Sequence, residues 1–273
     1  MPRIFHVVAA LVVLGIATLV ASPAGAIIGG TPDTANRFSN VGALQGQFAP
    51  GQWFQFCTGT LVRPNVVLTA AHCTDFLQEE GPDGLGPDDV RLTFSPTQAA
   101  GAPVYAVDRI VTHPAWFTRP ILKGNSKHLG LAPPAEDIAL VWLKSAVAGV
   151  TPAPIAGRGY LDGLNLKATT FTAVGYGVDD FAKGSLLSNQ PVALDDGTRA
   201  YRDVSGITEH DAFPDRFVKI GQSLCFGDSG GPLFHGSTIV AVNTWTFSTR
   251  CEGPNLSYRV DSAVAQAFLA TYL

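Results

Sequence analysis

Cys225-Phe226-Gly227-Asp228-Ser229-Gly230-Gly231-Pro232 combines a candidate nucleophile, an acid beside it, and glycines where backbone must come close to another group. A serine hydroxyl is a weak nucleophile at neutral pH, so Ser229 needs a base to take its proton and a third group to hold that base. Two upstream segments supply them. His72 stands in Leu68-Thr69-Ala70-Ala71-His72-Cys73, and Asp137 opens the apolar run Asp137-Ile138-Ala139-Leu140-Val141-Trp142-Leu143.

Glycine-x-serine-x-glycine also marks the nucleophile elbow of α/β-hydrolases, whose acid and histidine follow the serine. Here the one histidine after Ser229 is His235, and no acid lies between them, which excludes that order. A subtilisin-like order of Asp33, His72 and Ser229 fits by spacing alone. The flanking segments lack that family's motifs, and the chain lacks its alternation of helices and parallel strands.

Around these residues the chain reads as short strands. Phe54–Val62, Val66–Thr69, Val90–Phe94, Val104–Val111, Leu166–Val174, Gln190–Leu194, Arg216–Ile220, Pro232–Phe234, Thr238–Trp245 and Leu256–Val260 are brief, β-branched or aromatic, and bounded by Gly, Pro or Asp. Only Ser262–Leu273 has apolar residues at helical spacing, through Val264, Ala267, Phe268 and Tyr272. The fold class is therefore all-β with a terminal helix. Pro- and Gly-rich material from Val150 to Gly163 divides residues 27–150, holding His72 and Asp137, from residues 151–273, holding Ser229. A cleft between the two units would unite the three.

At 273 residues the chain can bury one large core or two modest ones. Arg3, the apolar stretch Ile4–Val20 and Ala24-Gly25-Ala26 follow the order of a secretory signal, so residues 1–26 are set apart from the fold. A membrane anchor is the alternative, but the run is barely long enough to span and a cleavage pattern follows it at once. Removing residues 1–26, whose one charged side chain is Arg3, takes the formal charge from −4 to −5. Nothing in that balance points to nucleic acid. Four cysteines on an exported chain indicate two disulfides with three possible pairings, of which local spacing favours Cys57–Cys73 and Cys225–Cys251. No Cys-x-x-Cys or histidine cluster suggests a metal site.

Ile27-Ile28-Gly29-Gly30, the segment around His72, Asp137-Ile138-Ala139-Leu140 and Gly227-Asp228-Ser229-Gly230-Gly231-Pro232 resemble, in the same order, the trypsin/chymotrypsin family. Ile110-Val111-Thr112-His113-Pro114, Ala173-Val174-Gly175-Tyr176-Gly177 and the final helix extend the resemblance over residues 27–273. It implies two six-stranded antiparallel Greek-key barrels with the active site between them, together one peptidase domain. It also implies a secreted, monomeric serine endopeptidase that acts on peptides or proteins, without nucleic-acid or membrane partners after the leader is removed. In it His72 is base then acid, Asp137 orients His72, Ser229 attacks, and the N–H groups of Gly227 and Ser229 form the oxyanion hole. A catalytically inactive binding protein on the same fold is the alternative.

Three further expectations follow from the resemblance. Ser223, six residues before the nucleophile, stands where an aspartate would select Arg or Lys. With Leu224, Thr244, Trp245, Thr246 and Leu256 it would frame a narrow apolar pocket for small or medium aliphatic side chains, aromatic ones second. The freed amino group of Ile27 would turn inward and pair with Asp228; because Ala24-Gly25-Ala26 precedes it, export and activation would be one cut, with cleavage after Ala21 or Ala24 and later trimming as the runner-up. No cofactor is expected; calcium is the one ion considered, in the acidic loop of Glu79, Glu80, Asp83, Asp88 and Asp89, whose spacing matches no calcium motif. Long segments at Phe76–Gly86 and Thr118–Ala135 are insertions expected to rim the cleft. His113, His128, His210 and His235 adjoin loops and turns and read as structural or solvated.

Overall fold

The computed structural model describes residues 26–77, 86–116, 136–178, 197–211, 213–246, 248 and 251–273. The leader before Ala26, the strand expected at Gln190–Leu194, His128 and the insertion at Thr118–Ala135 lie outside them. A two-residue strand, β1 (Thr31–Pro32), comes first. Six strands then close into a barrel: β2 (Val41–Ala49), β3 (Gln52–Arg63), β4 (Val66–Thr69), β5 (Val90–Thr93), β6 (Tyr105–Thr112) and β7 (Ala139–Leu143). Their order is β2-β3-β4-β7-β6-β5, and β5 returns to β2.

The second unit holds β8 (Phe171–Gly175), β9 (Ala200–Val204), β10 (Thr208–Glu209), β11 (Phe217–Ile220), β12 (Pro232–His235), β13 (Thr238–Thr246) and β14 (Asn255–Arg259). Their antiparallel order, with β1 at one end, is β1-β9-β8-β12-β13-β14-β11-β10. Among the described residues six longer strands form the second unit, β9 among them where no strand was expected; their pairing curls into a half-barrel, and the two-residue strands β1 and β10 extend its ends. One α-helix, α1 (Ala263–Tyr272), follows, and its N-cap Ser262 accepts a hydrogen bond from Ala265 N–H at 3.1 Å.

Both chain ends cross over. β1 belongs to the first half of the sequence but pairs with β9 in the second sheet. In return α1 packs on the first barrel, with Phe268 5.0 Å from His113 and Tyr272 6.3 Å from Trp142 between ring centres. This cover explains why all five residues of β7 are buried and why its apolar run shows no alternation.

Among the described residues Arg199 is the largest fully buried side chain, and it stands at the join. Its Nε donates to Asp33 Oδ2 at 2.9 Å, and Nη1 donates to Val41 O at 2.8 Å, Phe94 O at 3.1 Å and Tyr176 OH at 3.0 Å. Asp33, the acid a subtilisin-like order would require, is thus committed to Arg199. Breaking a buried pair leaves one charge uncompensated, so Arg199→Met should lower stability by about 3–5 kcal/mol in urea unfolding at pH 7. Adding Asp33→Leu should recover most of that loss; a double variant as unstable as the sum of two singles would contradict the pairing.

Candidate active site

His72 lies on the single 3-10 turn Ala71–Cys73 after β4, and the Cys57–Cys73 disulfide ties that turn to β3. The His72 ring Nδ1 is 2.8 Å from Asp137 Oδ2, and the His72 backbone N–H donates to Asp137 Oδ1 at 2.9 Å. A carboxylate can only accept, so Nδ1 carries the proton and Nε2 presents a lone pair. Asp137 is wholly buried while the His72 side chain is 28% exposed. Burial pulls the imidazole pKa down, but the charge and hydrogen bond of Asp137, with the charge of Asp75 behind them, outweigh it and hold His72 above its ordinary value.

Asp137 is mounted between two fixed neighbours. Ile138 N–H bonds back to Glu136 O at 2.9 Å, and His113 N–H donates to Ile138 O at 3.1 Å. Glu136 has φ of +46°, a left-handed conformation costing a non-glycine residue about 1–3 kcal/mol unless its surroundings impose it. They do: its buried carboxylate accepts from Tyr258 OH of β14 at 2.5 Å and pairs with Arg216 Nη1, in the turn before β11, at 3.1 Å.

The Ser229 loop is laid directly on β3 and β4. Thr58 N–H donates to Ser229 O at 2.7 Å, while Gly230 N–H to Asn243 O and Asn243 N–H to Gly231 O, each 2.8 Å, anchor it to β13. Gly230 has φ of +82°, and a Cβ there would overlap Thr58 O and Thr69 Oγ1, so only glycine permits this approach. The second disulfide, Cys225–Cys251, braces the other side of the loop.

Asp228 is buried, its Oδ1 accepting from Gly177 N–H at 2.8 Å and its Oδ2 from Cys225 N–H at 2.9 Å. Burial pushes its carboxyl up to about 7 against the pull of those two donors, and no cation among the described residues pairs with it. Ala26 and Ile27 are buried too, and Ile28 N–H donates to Ser223 O at 2.9 Å, which docks the Ile27 segment on the loop before Ser229. Ile27 adopts φ of +70°, a genuine outlier for a β-branched residue.

Of the expected pocket residues, Ser223, Leu224 and Thr244 are buried and Trp245 is 36% exposed; Thr246 is half-buried, its hydroxyl donating to Ser248 O at 3.4 Å. Leu256 lies in the main hydrophobic core. Its neighbour Asn255 lies against the segment before Ser229: Oδ1 accepts from Ser223 N–H at 2.9 Å and Leu224 N–H at 3.0 Å. In the acidic loop, Asp88 pairs with Lys144 at 2.8 Å and Asp89 accepts from Gly86 N–H at 3.0 Å; Glu79, Glu80 and Asp83 lie outside the described residues. Cys57 and Cys73 approach His72 within 4.8 Å, but both sulfurs are held in the disulfide and offer no thiolate to a metal.

Sequence reasoning missed Thr58, Gln55, Glu136 and Asn255. Each acts through contacts to segments far away in the chain, and only Thr58, beside a half-cystine, carried a local signal.

The Trypsin family model matches residues 27–268. Alkaline trypsin B of Manduca sexta is 30% identical over 260 residues, covering 86% of this chain and 88% of that one. Trypsin CFT-1 of Choristoneura fumiferana is 28% identical over 255 residues, with 88% and 89% covered. Among solved structures, HL collagenase superposes with a TM-score of 0.62 at 20% identity, over 90% of this chain and 99% of that one.

Proposed function

The chain belongs to the trypsin family and is a serine endopeptidase, and we propose that it cleaves peptide bonds through an acyl-enzyme on Ser229, with His72 as base then acid and Asp137 as orienter. His72 Nε2 takes the Ser229 proton as Oγ attacks the scissile carbonyl. The N–H groups of Gly227 and Ser229 stabilise the oxyanion, and the imidazolium, held by Asp137, returns its proton to the leaving amine. Water then repeats the sequence to release the acid. The observation that carries this reading is the two-point contact between His72 and Asp137 beside the Ser229 loop. A fluorophosphonate probe applied to protein beginning at Ile27 tests it: stoichiometric labelling of Ser229 is expected, and folded protein of that form that does not label would reject it in favour of an inactive binder.

The leader directs export, and the enzyme works outside the cell as a monomer after cleavage before Ile27. Its specificity follows from the base of the pocket. Ser223 carries no charge, its hydroxyl donates to Gly221 O at 3.1 Å, and the Asn255 amide occupies the adjoining backbone. A guanidinium there would be buried without an anion. A peptide library should favour alanine, valine or leucine on the acyl side over arginine or lysine by about tenfold to 100-fold, with aromatic residues between. A profile led by arginine or lysine would overturn the assignment.

A further inference from the structure

Thr58 makes four hydrogen bonds with its three polar groups at the junction of the two units. Its N–H donates to Ser229 O at 2.7 Å and its carbonyl accepts from Thr69 Oγ1 at 2.8 Å. Its hydroxyl does two things at once, accepting from Tyr176 N–H at 3.1 Å and donating to Gly227 O at 2.7 Å. Thr58 is fully buried, so neither bond is exchanged with water.

Gly227 needs such a restraint. With no Cβ and φ of +96°, its two flanking peptides can rotate at little steric cost. The preceding peptide, which carries the Gly227 N–H, is held on its far side by Val178 N–H to Phe226 O at 3.0 Å. The following peptide is held through Gly227 O, by the Thr58 hydroxyl and by Gln55 Nε2 at 3.1 Å. Fixing both planes fixes where the Gly227 N–H points.

We propose that the Thr58 hydroxyl is a positioning residue for the reaction: it clamps the Gly227 carbonyl against Tyr176 and thereby aims the Gly227 N–H at the developing oxyanion. The inference rests on the acyl-enzyme reading above. Thr58 reaches neither substrate nor the reacting atoms itself. Its strand neighbour Cys57 is joined to Cys73 beside His72, so one short segment sets the place of the base and the aim of the oxyanion donor together.

Thr58→Val removes the hydroxyl and keeps the shape. On a blocked tetrapeptide p-nitroanilide ending in alanine, kcat should fall roughly tenfold to 100-fold with KM within about twofold, since the lost alignment matters only when charge develops. The Ki of the matching peptide aldehyde, whose adduct presents an oxyanion, should rise by the same factor, and Thr58→Ser should restore both. A merely structural role would lower the melting temperature and leave kcat and aldehyde affinity at native values, which would overturn the assignment. If Thr58→Val does not fold, Thr58→Ser against Thr58→Ala carries the same comparison, because that pair differs by the hydroxyl alone. Native protein beginning at Ile27 that fails to label with fluorophosphonate sinks the underlying reading, whereas labelled enzyme of that form with unimpaired hydroxyl-free variants sinks the role of Thr58 only.

Discussion

Ser229→Ala should lose peptide hydrolysis by about 10⁴- to 10⁶-fold while keeping the fold and both disulfides. The change removes one oxygen from a loop held by its backbone: Ser229 O is bound by Thr58 N–H, and Gly230 and Gly231 are bound by Asn243. His72→Ala should cost nearly as much, because the serine then has no acceptor for its proton. The double variant should be no worse than Ser229→Ala alone, since base and nucleophile act in one step. Turnover of purified variants against the same p-nitroanilide decides it, and a Ser229→Ala protein with native turnover would refute the mechanism.

The second large effect concerns Ile27. With the leader attached, Asp228 sits at about 7 because burial disfavours its charge. Its ordinary value is 3.8, so the folded chain binds a proton the unfolded chain has released between those two values. The contribution of Asp228 to the stability of the uncut chain should therefore be present below about pH 4 and be lost as pH rises to about 7, by an amount on the order of 4 kcal/mol. Asp228→Asn should flatten that slope in urea titrations across pH. On the proposed scheme, cleavage before Ile27 would supply an ammonium to offset the buried carboxylate, and it would also remove the peptide bond that fixes the strained φ of Ile27. The cut protein should show no such loss towards pH 7. Its activity should decline instead when the amino group titrates, and chains beginning at Ser22 or Gly25 should have about 1% of full activity or less. A fully active enzyme beginning at either residue would refute this scheme.

The parts of the molecule legible in the sequence are those whose chemistry needs local neighbours. Ser229 with its glycines, His72 beside Cys73, and Asp137 before an apolar strand could each be read within eight residues. The strand at Val41–Ala49 was missed because Gly42, Gln45 and Gly46 interrupt its apolar pattern, although closure of the barrel buries all of Val41 to Gly46. Ala200–Val204 was missed for a related reason: Arg202 and Asp203 look like surface, and the preceding Arg199 is buried by partners that no local pattern announces. The Asn255 amide that binds the Ser223 and Leu224 N–H groups carries no local signal, because its partners lie about thirty residues upstream.

The crossing of the chain ends also orders events during biosynthesis. Asp33 and Arg199 are 166 positions apart, so the first segment of the mature protein to leave the ribosome has no partner until most of the chain has followed it. Closing so long a loop comes late, after the local hairpins have formed. Until Arg199 has emerged, the amino-terminal segment therefore lacks the buried ion pair that seats it against the second sheet. The two ends of the chain thus hold the fold shut together, and neither sheet edge is complete until synthesis has passed Arg199 and β9.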